Sequence, residues 1–149
     1  MITTIQQTVT ASSPYSAGNA VGGKITLSDL FPAGSEYNCA ITDVVLIDKA
    51  AQGVTYDLML FDADLAGTVT DKTAYAVSAA DLLKSQGHLA LGGLVNLGAA
   101  GGIITLSNIY KRLTLTGRSG YAVLVTRGAP TYASTSDILL RITTEKVYV

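Results

Sequence analysis

The sequence predicts an all-β protein, a β-sandwich or jelly-roll-like fold with about nine strands and one short helix. Three observations lead there. First, the apolar residues fall into short runs rich in Val, Ile, Leu and Thr, with side chains alternating at period two. Second, clusters of Gly, Pro, Ser and Asn interrupt these runs at close spacing, whereas βαβ units would place helical patterns between them. Third, Ala40 to Asp62 reads as two long strands joined by a five-residue, glycine-containing turn, and each strand is apolar on both faces over part of its length. Val54, Tyr56, Leu58 and Leu60 share one face, and Thr55, Asp57, Met59 and Phe61 share the other. In the first strand, Val44 and Leu46 oppose Val45 and Ile47. Such strands are central and covered twice, by a second sheet, a loop or another chain. With partner contacts assigned to the loops and the arm, the expected cover of the second apolar face is the second sheet or the helix from Ala79 to Ser85.

Taken in order, Ile2 to Thr10 is rich in β-branched residues and reads as a strand or an extended arm. Residues 11–23 form a loop, followed by a short strand from Lys24 to Leu27. Ser28 to Asn38 is a long connection with two aromatic residues. After the central pair, Ala63 to Ser78 is too polar and irregular for a strand. Ser78 then caps a helix from Ala79 to about Ser85, with Leu82 and Leu83 expected to face inward. Short strands follow at His88 to Leu91 and Leu94 to Leu97, separated by glycines. Ile103 to Ser107, Tyr110 to Thr116, Gly120 to Arg127 and Asp137 to Tyr148 complete the set. The expected organisation is an N-terminal arm or edge strand over residues 1–16 and one sandwich domain over residues 17–149.

Composition narrows the function classes. The chain has 149 residues, 48% of them hydrophobic but only 14% charged, where an average domain carries roughly 25% charged residues. With ten basic residues scattered along it and a net charge of −1, no footprint for nucleic acid is present. Weak repulsion between copies favours self-association as a homo-oligomer. Cys39 is the single cysteine, so no internal disulfide is expected and a small buried thiol is the ordinary outcome. The first residues lack the basic and apolar regions of a secretory signal. No apolar run reaches the length of a membrane helix.

Raw material for catalysis is scarce, and a non-enzymatic protein without cofactor or metal is expected. His88 is the sole histidine, so zinc-ligand sets and nucleophile–histidine pairs would both depend on it. The glycine-rich run from Gly98 to Gly102 lacks the lysine and helix of a phosphate cradle and reads as a turn. Asp62, Asp64 and Asp71 echo the opening of a calcium loop, but Ala66 stands where a third oxygen ligand belongs. A strand end whose carboxylates bond turn amides is the better reading. Asp57 and Asp62 have no cleft aromatic to make them a sugar-hydrolysing pair.

Aromatic positions say more. Tyr15, Phe31, Tyr37, Tyr75 and Tyr132 all fall in expected loops, where a ring either folds back on the core or anchors a partner. Together with Ile2 and Ile5 of the arm, Tyr15, Phe31, Tyr37 and Tyr132 are the candidate interface residues.

Four segments carry a family resemblance: PYSAGNAVGGKITLS at Pro14 to Ser28, ITDVVLIDKAAQGVTYDLMLFD at Ile41 to Asp62, VSAADLL at Val77 to Leu83, and GYAVLVTRGAPTYASTSDILLRI at Gly120 to Ile142. Together they resemble virion structural proteins of tailed bacteriophages. The resemblance implies a head decoration or cement protein, made in the host cytoplasm and carried on the capsid surface. Its partners would be the major capsid protein and other copies of itself. These motifs mark strands and turns, so no functional residue follows from them. Two rivals belong to other classes: a tail or receptor-binding sandwich that recognises glycans through loop tyrosines, and an enzyme built on His88.

Overall fold

The computed structural model describes residues 2–9, 14–30 and 38–148. The strands are β1 (Ile2–Val9), β2 (Ile25–Leu27), β3 (Asn38–Asp48), β4 (Tyr56–Phe61), β5 (Ser85–Leu91), β6 (Val95–Asn96), β7 (Gly102–Leu106), β8 (Lys111–Thr114), β9 (Gly120–Thr126) and β10 (Ile138–Lys146), with a single helical turn, α1 (Ala79–Leu82). They form two antiparallel sheets. Sheet I runs β1-β10-β3-β7-β6, with β8 also paired to β3, and sheet II runs β2-β9-β4-β5. The chain is the expected β-sandwich.

Between the sheets lies one core. From sheet I it takes Ile41, Val44, Leu46, Ile104, Ile138, Leu140 and Ile142, and from sheet II Ile25, Leu27, Tyr56, Leu58, Leu60, Leu91 and Leu124. Tyr56, Leu58 and Leu60 are all buried, as the period-two reading of that strand requires. Cys39 is buried with them, and loss of water around its thiol pushes its pKa up to about 12.

β3 and β4 do not pair with each other, although they are joined by a short connection. β3 lies in sheet I between β10 and β7/β8, and β4 lies in sheet II between β9 and β5. The crossing is organised by Asp48, whose buried carboxylate accepts the Ala50 and Gln52 amides at 2.9 Å each. Ala51 and Gly53 take left-handed φ values of 48° and 68°, which turn the chain out of one sheet and towards the other. Arg127 N–H then donates to Thr55 at 2.8 Å, starting the approach to β9. Burial raises the Asp48 pKa; the amide bonds oppose that rise, and Asp137 adds to it.

A bulge divides the long β3. Its register to β10 skips Thr42, so Thr144 faces Ile41 while Thr143 faces Asp43. The interruption separates the stretch that pairs β8 (Asn38 to Ile41) from the stretch that pairs β7 (Val44 to Asp48), and the Thr42 carbonyl accepts the Ile109 amide of the chain passing between them. The glycine-rich run is a turn between β6 and β7. At Gly101, φ is +123° and a Cβ would lie 2.4 Å from the Asp48 carbonyl, so only glycine fits.

The helix differs from expectation. It is one turn long, β5 begins at Ser85, and Leu82 and Leu83 are 58% and 88% exposed. Ser78 caps it as its sequence position suggests. A single turn presents only one side chain inward, and that place is taken by Asp81. The Asp81 carboxylate accepts the Ala66 and Gly67 amides at 2.9 and 2.8 Å and pairs with Lys84 at 2.9 Å. Those amide bonds, the Lys84 pair and the Ser78 hydroxyl hold its pKa well below the usual carboxylate range. Four polar partners fix the rotation of the turn against two leucines.

Candidate functional site

Tyr15 and Tyr132 are core residues rather than interface anchors, each 3% exposed. Their rings meet edge to face at 6.0 Å and 68°. The Tyr15 hydroxyl donates to Asp71 at 2.7 Å, and Asp71 also accepts the Gly22 amide at 2.7 Å. The Tyr132 hydroxyl is hydrogen-bonded to that of Tyr56. Burial, with help from the nearby Asp48 and Tyr15, raises the Tyr56 pKa, so the phenol stays protonated. This cluster ties the loop before β2, the loop before β10 and the middle of the chain to one end of the core. Its hydroxyls are used up inside the fold. Tyr75 is partly buried and packs on the outside of sheet II. The side chains of Ile2 and Ile5, and the whole of Phe31 and Tyr37, lie outside the described residues.

The residues weighed for chemistry are dispersed. His88 is exposed on β5, opposite Met59. Asp57 pairs with Arg127, just past the end of the neighbouring β9. Asp64 pairs with Lys24, whose ammonium also sits 5.7 Å from the Tyr121 ring centre. That Lys24 contact lowers the Asp64 pKa. Asp71 is committed to Tyr15 and Gly22 as above. Among the described residues, no group of three or more His, Cys, Asp or Glu side chains is placed to hold a metal ion.

The outer faces of the two sheets carry the remaining information. On sheet II, Phe61, Val123 and Val125 form a second apolar cluster with Ala20 and Leu65, joined by Met59, Val69, Tyr75 and Tyr121. The irregular chain between β4 and α1 supplies Leu65, Val69 and Tyr75, so this loop covers the second apolar face of β4, not α1 or the opposite sheet. Beside it, Met59, Phe61, Tyr75, Val77, Leu82 and Ser85 line a shallow apolar groove.

On sheet I the outer face has no such cover among the described residues. Register places Leu139 beside Ile47, Ile47 beside Ile103, and Ile103 beside Val95. These four side chains form an apolar row across β10, β3, β7 and β6. Leu139, Ile47 and Ile103 are half-buried and Val95 is 57% exposed. Each of these strands shows its own outward apolar residue in the sequence, but their alignment exists only once pairing and register are set.

No family model matches the chain, and no curated protein matches it. Among solved structures, a chain in the X-ray structure of tomato aspermy virus is similar in outline, with 10% identity and a TM-score of 0.40 over 99% of this chain and 78% of that one. A chain of the infectious bursal disease virus VP2 subviral particle gives 12% identity and a TM-score of 0.25, over 99% of this chain and 38% of that one. Both likenesses are too distant to argue from, and neither assigns a site.

Proposed function

We propose that the chain is a structural component of a bacteriophage particle, a decoration or cement protein that binds the outer capsid lattice and acts without catalysis. The observation that carries this reading is the apolar row Leu139–Ile47–Ile103–Val95 on the outer face of sheet I, which no described segment covers. Exposed apolar surface on a low-charge protein marks a docking site, and here it lies on a sheet, where backbone pairing keeps it in one shape. A protein that must sit on many equivalent positions of a shell needs that rigidity more than it needs a cleft. The family resemblance of the strand and turn segments supports the same reading, and the major capsid protein is then the partner.

The glycan-binding alternative loses its main support, because the loop tyrosines Tyr15 and Tyr132 that would line a sugar groove are inside the core. A cryo-electron map of the particle tests the proposal: sandwich-shaped density on the outer head, with sheet I towards the shell, is the expected result. Density confined to the tail, or contact made through a different face, sinks it.

A further inference from the structure

We infer that the free edge of β1 pairs with β1 of a second copy, joining two copies of sheet I into one continuous antiparallel sheet. The sheet edges are treated very differently by this sequence. β6 and β2 are two and three residues long. β5 is broken by a register shift opposite Leu60 and Phe61, contains Gly87 at φ +95°, and is approached from the side by Lys111 and by the Thr114 amide, which donates to Gln86. Short length, bulges and nearby charges are the usual means of blunting an edge.

β1 is neither short nor bulged and carries no charge of its own, although Glu145 and Arg141 stand opposite Ile2 and Gln6 on β10. It pairs with β10 without interruption over eight residues, Ile2 opposite Glu145 through to Val9 opposite Ile138. Its sequence, ITTIQQTV, contains six β-branched residues and no charge, proline or glycine. No strand among the described residues pairs its other side. In an antiparallel strand the backbone groups alternate in direction, so half of the β1 amides and carbonyls point away from β10 and require water or another strand.

A second β1 fits that need. A two-fold axis perpendicular to the sheet reverses strand direction and keeps each face on its own side, so residues that meet across it share parity, as when Ile5 faces Ile5 of the second copy. The uncharged strand meets nothing repulsive in its own image, and the whole chain, at net charge −1, adds little long-range repulsion. Centred on Ile5, the pairing runs from Ile2 to Thr8 of each copy and closes about seven backbone hydrogen bonds.

The test uses the full chain and the double variant Thr4→Glu/Gln6→Glu. Position 6 lies opposite Arg141 in the register and position 4 opposite Thr143, so the new carboxylates are tolerated or favoured within one chain, but they confront each other across the two-fold. Sedimentation equilibrium is expected to give twice the chain mass for the parent and the single-chain mass for the variant, with unchanged circular dichroism. In parallel, amide exchange by NMR should show every second β1 amide of the parent protected in proportion to protein concentration. A parent that stays monomeric, a variant that keeps the parent's mass, or outward β1 amides whose exchange ignores concentration overturns the inference.

Discussion

The outer faces of the two sheets began from the same sequence pattern and ended differently. β3 and β4 are both apolar on two sides, yet the second side of β4 is buried under the loop between β4 and α1, with Phe61 4% and Val123 0% exposed, while the second side of β3 has no such cover among the described residues. The difference is made by the intervening chain. Leu65, Val69 and Tyr75 fold back over sheet II because Asp81 and Lys84 pin the loop's turn, whereas no described segment returns over sheet I. Apolar alternation therefore tells that a face wants cover, and local polar anchoring decides which face receives it from within the chain.

Substitutions sharpen this contrast, beginning with the covered face. Phe61→Ala is expected to cost about 3 kcal/mol, since it removes a buried ring and leaves a cavity, and a urea titration should show it. If the midpoint moves no more than for a surface change, the loop is not a real cover. Next, Tyr132→Phe should cost about 1–3 kcal/mol by leaving the Tyr56 hydroxyl buried without its partner; thermal unfolding checks it, and an unchanged midpoint would mean the Tyr56 hydroxyl finds another partner.

Asp81 links the loop to pH. Its folded pKa is depressed, so its contribution is present above the ordinary carboxylate range near 4 and is lost as pH falls towards the lower folded value. Asp81→Asn should flatten the acid limb of the stability profile and loosen the cover over sheet II, seen as faster proteolysis between Ala63 and Ser78. Cys39 acts at the other end of the scale with the opposite sign. Its stabilising effect holds below the normal thiol pKa and fades as pH rises from there towards about 12, so Cys39→Ala should reduce the alkaline slope, and native protein should resist alkylation at pH 8.

The smallest stability effect is expected on the open face. Ile47→Ser should change stability by about 1 kcal/mol or less, because its side chain is half in water already, yet it should abolish particle binding if sheet I is the docking face. Full occupancy of particles by a well-folded Ile47→Ser protein would remove that role.

Much of the architecture could be read before folding. Period-two runs located every strand from β2 to β10 within a few residues, and Ser78 marked the helix start, because these signals are local and depend on steric and capping preferences of neighbouring residues. Pairing was less accessible. The short link after Asp48 suggested two adjacent strands, but a buried carboxylate and two left-handed residues send the chain across the sandwich. Leu82 and Leu83 looked inward by hydrophobicity alone, until the hydrogen bonds of Asp81 outweighed them. Likewise, Tyr15 and Tyr132 sit in loops by sequence, and only the closing of one end of the core shows that they fill it.

By itself the sequence determined a two-layered β-protein of low charge with strands apolar on both sides, since backbone alternation and turn chemistry are properties of short segments. The tertiary structure decided which sheet each strand joined, which apolar face was covered, and how Leu139, Ile47, Ile103 and Val95 came into one row. Those outcomes rest on register between segments as far apart in sequence as Ile2 and Glu145, where hydrogen bonding and desolvation are settled jointly and no local pattern can specify them.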